Sequence, residues 1–161
     1  MNKSQLTTLF NYDHHTTRRM LDAAARLDEA SLRADPGLGR RSLHELFFHL
    51  FNTNRSWRLA LETGQQPAGL TRDPYPTLDN LRAGLAAEQA AWDALLARLT
   101  DAEIAGEVQL TTRRGDSWTE HRWRVLQHLL FHGMQHHTEL AQLLTEQGQS
   151  VGDLDFIFYE G

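Results

Sequence analysis

The segment from His128 to Leu140, HLLFHGMQHHTEL, holds four of the nine histidines of this 161-residue chain and reads as helix. On an α-helix, His132 and His136 stand four residues apart, so their imidazoles share one face within about 6 Å of each other. That spacing constrains the fold. Two imidazoles supply only part of a metal site, and a mononuclear site with an open position wants a third protein ligand from another element. The chain has no cysteine, which excludes disulfides, thiolate ligands and a cysteine nucleophile and is compatible with a reducing cytosol. Any ligand chemistry is therefore imidazole and oxygen.

The best third ligand is His49. It lies in the apolar run LFFHLF, among Leu46, Phe47, Leu50 and Phe51, so its ring is expected to point inward, where lost hydration must be replaced. A metal is one replacement. A hydrogen bond to a carboxylate such as Glu88, or to a backbone carbonyl, is the other, and the residues alone leave both open. His128 continues the histidine row one turn earlier, but each four-residue step drifts about 40° around the axis, which makes it a neighbour or spare ligand. His137 points about 100° away from His136, toward a helix interface or solvent. His14, His15, His44 and His121 read as surface or interface residues. Asp13 and Tyr12 could reach the bundle core near the metal, or be simple surface and packing residues.

Four long helical patterns organise the chain. The first runs from about Ser4 to Leu27 with an apolar stripe through Leu6, Phe10, Met20 and Leu21. The second opens at Ser42 and Glu45, a capping-box pair, and stops at Gly64. A proline-bearing linker, 65–76, follows and is long enough to suggest a cover over the mouth of a site. The third starts after Pro76 with Thr77 as N-cap and carries Leu78, Leu81, Leu85, Trp92, Leu95 and Leu96 at helical spacing. Between Thr100 and Trp123 the period changes, and VQLTT and SWTEH flanking RRGD predict a short β-hairpin. The fourth runs from about Glu120 to Gln147 and ends at Gly148. The tail retains Phe156, Ile157, Phe158 and Tyr159 and is expected to pack onto the body. The expected fold is all-α, one domain over 1–161: a four-helix bundle with long connections and a short hairpin between the third and fourth helices.

A formal net charge of −5, with basic pairs only short and scattered, argues against nucleic acid as a partner. The first residues lack an apolar signal core, and no run of about 18 apolar residues offers a membrane span, so the expected location is cytoplasmic. Apolar helix faces would fit a homodimer, though no spacing requires one.

The chain resembles the DinB-like (DinB/YfiT-like) family of metal-dependent four-helix-bundle proteins, which is unrelated to the translesion polymerase of similar name. The resemblance covers nearly the whole chain. It rests on LFNYDHHTTRRML, on Ser42 to His49 followed by Trp57, on HLLFHGMQHHTELAQLLTEQG, and on the closing SVGDLDFIFY. It implies that His49, His132 and His136 are the ligands of a divalent transition metal such as Zn, Ni or Fe. Where the family often has Arg after the last ligand, this chain has His137, Thr138 and Glu139, which puts in doubt any substrate contact of that Arg.

The resemblance further implies a small-molecule substrate and thiol-dependent chemistry, as in relatives that are bacillithiol S-transferases or act with mycothiol. Three neutral imidazoles leave a divalent ion its charge and open positions, with which it can present a thiol or water as nucleophile. A low-molecular-weight thiol would have to come from outside a chain without cysteine. A metal-dependent thiol S-transferase is thus the first expectation. A metal-dependent hydrolase, or a non-catalytic metal- or ligand-binding bundle, is the alternative.

Overall fold

A computed structural model describes residues 2–161. The helices are α1 (Lys3–Ala24), α2 (Glu29–Arg33), α3 (Leu43–Thr63), α4 (Leu78–Arg98), α5 (Asp101–Ala105) and α6 (Arg122–Glu146), with β1 (Glu107–Thr111) and β2 (Ser117–His121) between α5 and α6. Local chemistry sets the ends. Ser42 and Glu45 form the expected capping box at the start of α3, and Gly64, at φ 76°, closes it in the left-handed conformation. Thr77 caps α4 by accepting from the Asn80 amide. Gly148, at φ 74°, ends α6. Helix α1 stops at Ala24, short of the expected Leu27, because Asp28 instead caps the short α2.

The four long helices form a ring in the order α1, α6, α3, α4. Asp13 beside Gly133 and Thr17 against His137 make α1 and α6 parallel. Phe51 at Gly84 and Arg58 on Glu88 make α3 and α4 parallel as well. His49 near His132 and Trp57 on His128 show that α3 and α6 are antiparallel. Parallel neighbours explain the long 65–76 linker. After α3 the chain must travel back about 30 Å before α4 can begin, which an extended segment of that length spans. The linker is fastened by the Leu70 amide on Asn52 Oδ1 at 2.8 Å and by Tyr75 against Phe51, with ring centroids 5.0 Å apart. It serves topology, and the expectation that it covers a site is not needed to explain it.

The hairpin forms as expected, with Val108 opposite Glu120 and Leu110 opposite Trp118, and Val108 and Leu110 turned into the core. The tail packs onto α1 as expected, with Phe156 and Tyr159 against Tyr12 at ring-centroid distances of 5.1 and 5.5 Å. It also docks through backbone carbonyls, with the Tyr12 hydroxyl donating to Leu154 and Arg19 donating to Val151 and Asp153. Phe156, Ile157 and Phe158 stay exposed, because the buried contacts are taken by Val151 and Leu154. Among the described residues no helix is long and apolar enough to cross a membrane.

The apolar core is split in two. One cluster holds Met20, Phe47, Leu50, Leu81, Leu140 and Leu144; the other holds Leu6, Phe10, Trp92, Leu110, Leu126 and Leu129. Between them every long helix carries polar residues, including His14 and Thr17 on α1, His49 on α3, Glu88 on α4, and His136 and His137 on α6. Glu88 is paired with Arg58, whose Nε and second guanidinium nitrogen lie 2.5 and 2.9 Å from its two oxygens, the carboxylate being buried and the guanidinium half-buried. The carboxylate once available to His49 is therefore taken. Replacing Arg58 with Met strands a buried carboxylate and is expected to cost about 3–5 kcal/mol, most of it recovered in the Arg58→Met, Glu88→Met double variant. Urea unfolding of the two variants beside the parent protein measures both.

Candidate metal centre

Helix α3 and antiparallel α6 bring three imidazoles to one point in the polar layer. The Nε2 of His132 lies 3.0 Å from that of His49 and 3.1 Å from that of His136. One ligand nitrogen from each of the three lies within 4.8 Å of the others, and among the described residues this is the cluster whose chemistry suits an ion. His136 is buried, while His49 and His132 are half-buried and face the groove between α3 and α6. Glu139, one turn after His136, accepts from its Nδ1 at 2.8 Å. That bond puts the His136 proton on Nδ1 and turns the Nε2 lone pair toward the other two rings.

Protons alone leave this arrangement unsatisfied. A ring nitrogen carries either one hydrogen or one in-plane lone pair, so His132 Nε2 cannot serve both neighbours. A cation at the focus of the three lone pairs satisfies all of them. Three imidazoles from the chain would leave a four-coordinate ion at least one position not filled by protein. The rings are also in the right state to bind. Burial first, then the charges of Arg41 and His136, lowers the pKa of His49 to about 4. Burial and the neighbouring His136 and His49 do the same for His132, also to about 4. Both are neutral near neutral pH, the state in which an imidazole can take a metal.

The remaining expected residues divide clearly. His128 is exposed, its ring 6.1 Å from His132 and 5.5 Å from Trp57, so it borders the site without joining the cluster. His137 turns away into the α1–α6 interface, as its position on the helix requires, with Nε2 2.8 Å from Thr17 Oγ1. The Thr17 hydroxyl donates to the Asp13 carbonyl at 3.1 Å, so it must accept from His137, which leaves Nδ1 without a proton. That nitrogen faces Asp13 Oδ1 at 3.7 Å. Burial raises the pKa of Asp13 to about 7 and lowers that of His137 to about 4. Asp13 thus lies near the cluster, in the shell behind it. Tyr12 does not, since its hydroxyl is spent on the tail. His14 and His44 are buried at interfaces, His44 with Nε2 3.1 Å from the Tyr75 carbonyl. His15 packs on Tyr159, and His121 is exposed beside Trp123.

Two functional features escaped the sequence reading. Glu139 was visible only as a departure from the family pattern, although the His136-x-x-Glu139 spacing is the signal for an orienting carboxylate. Gly133 is the other: a Cβ there would stand 2.1 Å from Asp13 Oδ1, so only glycine lets α1 bring that side chain in behind the histidines.

Glu139→Ala is expected to weaken metal binding roughly 10–100-fold while the fold persists, as read by competition with a chelating dye. The raised pKa of Asp13 has its own consequence in metal-free protein. A proton held more tightly in the folded than in the unfolded state stabilises fully below about pH 4, and this contribution is lost as the pH rises through about 7. Asp13→Asn should therefore gain in thermal stability relative to the parent as pH rises across that window. A pH-independent difference would contradict the assignment.

Residues 12–140 match the DinB superfamily. No curated protein matches the sequence. Among solved structures, a DinB-like protein from Bacillus cereus superposes with a TM-score of 0.72 at 20% identity, over 95% of this chain and 99% of that one. YfiT from Bacillus subtilis, described as a probable metal-dependent hydrolase with an unusual four-helix bundle topology, gives 0.67 at 18% identity, over 93% and 91%. The DinB-like protein YjoA from the same organism gives 0.65 at 16% identity, over 88% and 93%. At these identities the structures attest the fold. The family match spans most of the chain and includes all three clustered histidines: this protein belongs to the DinB superfamily.

Proposed function

We propose that the protein is a metal-dependent enzyme that holds a divalent transition ion on His49, His132 and His136 and transfers a low-molecular-weight thiol to a small electrophile. The observation that carries the metal site is the convergence of three Nε2 atoms that hydrogen bonding cannot satisfy. A bound ion would supply Lewis acidity, lowering the pKa of a thiol or water enough to make it a nucleophile near neutral pH. Zn, Ni and Fe all accept three imidazoles. The protein's own part is positional. Glu139 orients His136, Gly133 admits Asp13 behind the cluster, and the half-buried His49 and His132 keep the site reachable from the α3–α6 groove.

Three protein ligands with an open side support catalysis over a structural role, since structural zinc sites are closed by a fourth protein ligand. The carboxylate nearest in sequence, Glu139, is engaged with His136 Nδ1. In the proposed transfer the thiol loses its proton to solvent, and its sulfur bonds to carbon as the leaving group departs with the electron pair of the broken bond. Support for a thiol comes from the family resemblance and from the lack of cysteine, which leaves the nucleophile to a cosubstrate.

Hydrolysis is the second reading, favoured by the description of YfiT as a probable metal-dependent hydrolase. Metal-loaded protein is expected to convert an aryl halide only when a thiol such as bacillithiol or cysteine is added. Thiol-independent release of product from an ester or amide would replace transfer by hydrolysis.

A further inference from the structure

The three histidines lie between two cavities of different chemistry, one reached through Glu139 on His136 and the other through His128 beside His132. On α6 the row His128, His132, His136, Glu139 and Leu143 faces α3, and on α3 the row Leu46, His49 and Trp57 faces back. Beyond His136 lies a cavity of about 400 Å³ that takes in Leu46, Leu143, Glu139 and the paired arginines Arg40 and Arg41. Beyond His128 lies a second, of about 270 Å³, walled by Trp57, Trp118, Val125 and His128. From His128 to Glu139 the helix rises about 16 Å, the length of a small extended molecule.

The two ends also differ in which charged groups are paired. At the aromatic end Arg124 is paired with Glu120 at 3.1 Å, so that end is apolar with no net charge. At the other end Arg40 is engaged by Glu146 at 3.3 Å and by the Pro36 carbonyl at 2.8 Å, while the Glu139 carboxylate, hydrogen-bonded to His136 Nδ1, shares the cavity with Arg41. Arg41 is exposed and has no ion-pair or hydrogen-bond partner among the described residues. It lines the same cavity as Glu139, the carboxylate hydrogen-bonded to His136. An arginine so placed, with all five donors unused beside apolar Leu46 and Leu143, suits a carboxylate or phosphate.

Resting on the metal-site reading above, we propose that the substrate is an elongated molecule with an anionic head on Arg41 and an apolar tail between Trp57 and Trp118. Its reacting centre would then lie across the three histidines. Arg41 acts as a specificity-determining residue and holds no metal. The probe pair is ω-phenyloctanoate and its neutral primary amide, bound to metal-free and metal-loaded protein and followed by tryptophan fluorescence and calorimetry.

The acid should bind on the order of tenfold tighter than the amide in both metal states. Arg41→Gln should erase that preference while keeping the parent's metal content, and Arg41→Lys should keep part of it. Trp57→Leu should weaken acid and amide alike. The proposal is overturned if neither probe binds, if the preference survives in Arg41→Gln, or if it appears only after metal loading, when the carboxylate is ligating the ion itself. Because the metal-free arm reads Arg41 alone, a protein that takes up no metal would sink the metal-site reading without deciding this one.

Discussion

Three imidazole nitrogens held within 4.8 Å of one another in the middle of a bundle, His132 about 3 Å from each of the other two, are the constraint to which the rest of the structure answers. They sit in a polar layer that divides the apolar core, and most members of that layer have partners. Glu88 has Arg58, His137 has Thr17, and His136 has Glu139 on one nitrogen, while His14 Nδ1 is buried without one. On the α3–α6 side stands a set of converging lone pairs with no proton arrangement to match them. A divalent cation would remove the mismatch, and binding it would then add stability as well as chemistry.

The topology serves the same end. Parallel pairing of α1 with α6 lets Asp13 and Thr17 back the histidine helix from behind, and antiparallel pairing of α3 with α6 sets His49 against His132 and His136. The half-buried His49 and His132 then face the seam between α3 and α6. A tightly backed cluster with one open side is what positioning of a substrate requires.

Much of this was legible in the residues. The helix ends at Ser42, Gly64, Thr77 and Gly148 follow from capping chemistry that acts over a few residues, so the sequence predicts them closely. The His132 and His136 pair was readable for the same reason, its geometry being internal to one helix. His49 needed a tertiary partner, and spacing alone left it between a metal and a carboxylate until Glu88 proved to be bound to Arg58. The tail packs on α1 as its apolar content predicts, through Phe156 and Tyr159 on Tyr12, but apolar content alone does not say which side chains are covered. Part of the docking is done by backbone carbonyls, and Ile157 and Phe158 stay largely exposed. The close approach of Asp13 to Gly133 depends on the parallel pairing of two helices far apart in sequence, which no local pattern encodes.

The central claim is that these three histidines hold a metal. Elemental analysis of protein purified without a metal-binding tag, for the parent beside His49→Ala, tests it most directly. The account predicts about one transition ion per chain in the parent and its loss in the variant. Equal metal content in the two, or none in either after reconstitution, would contradict it.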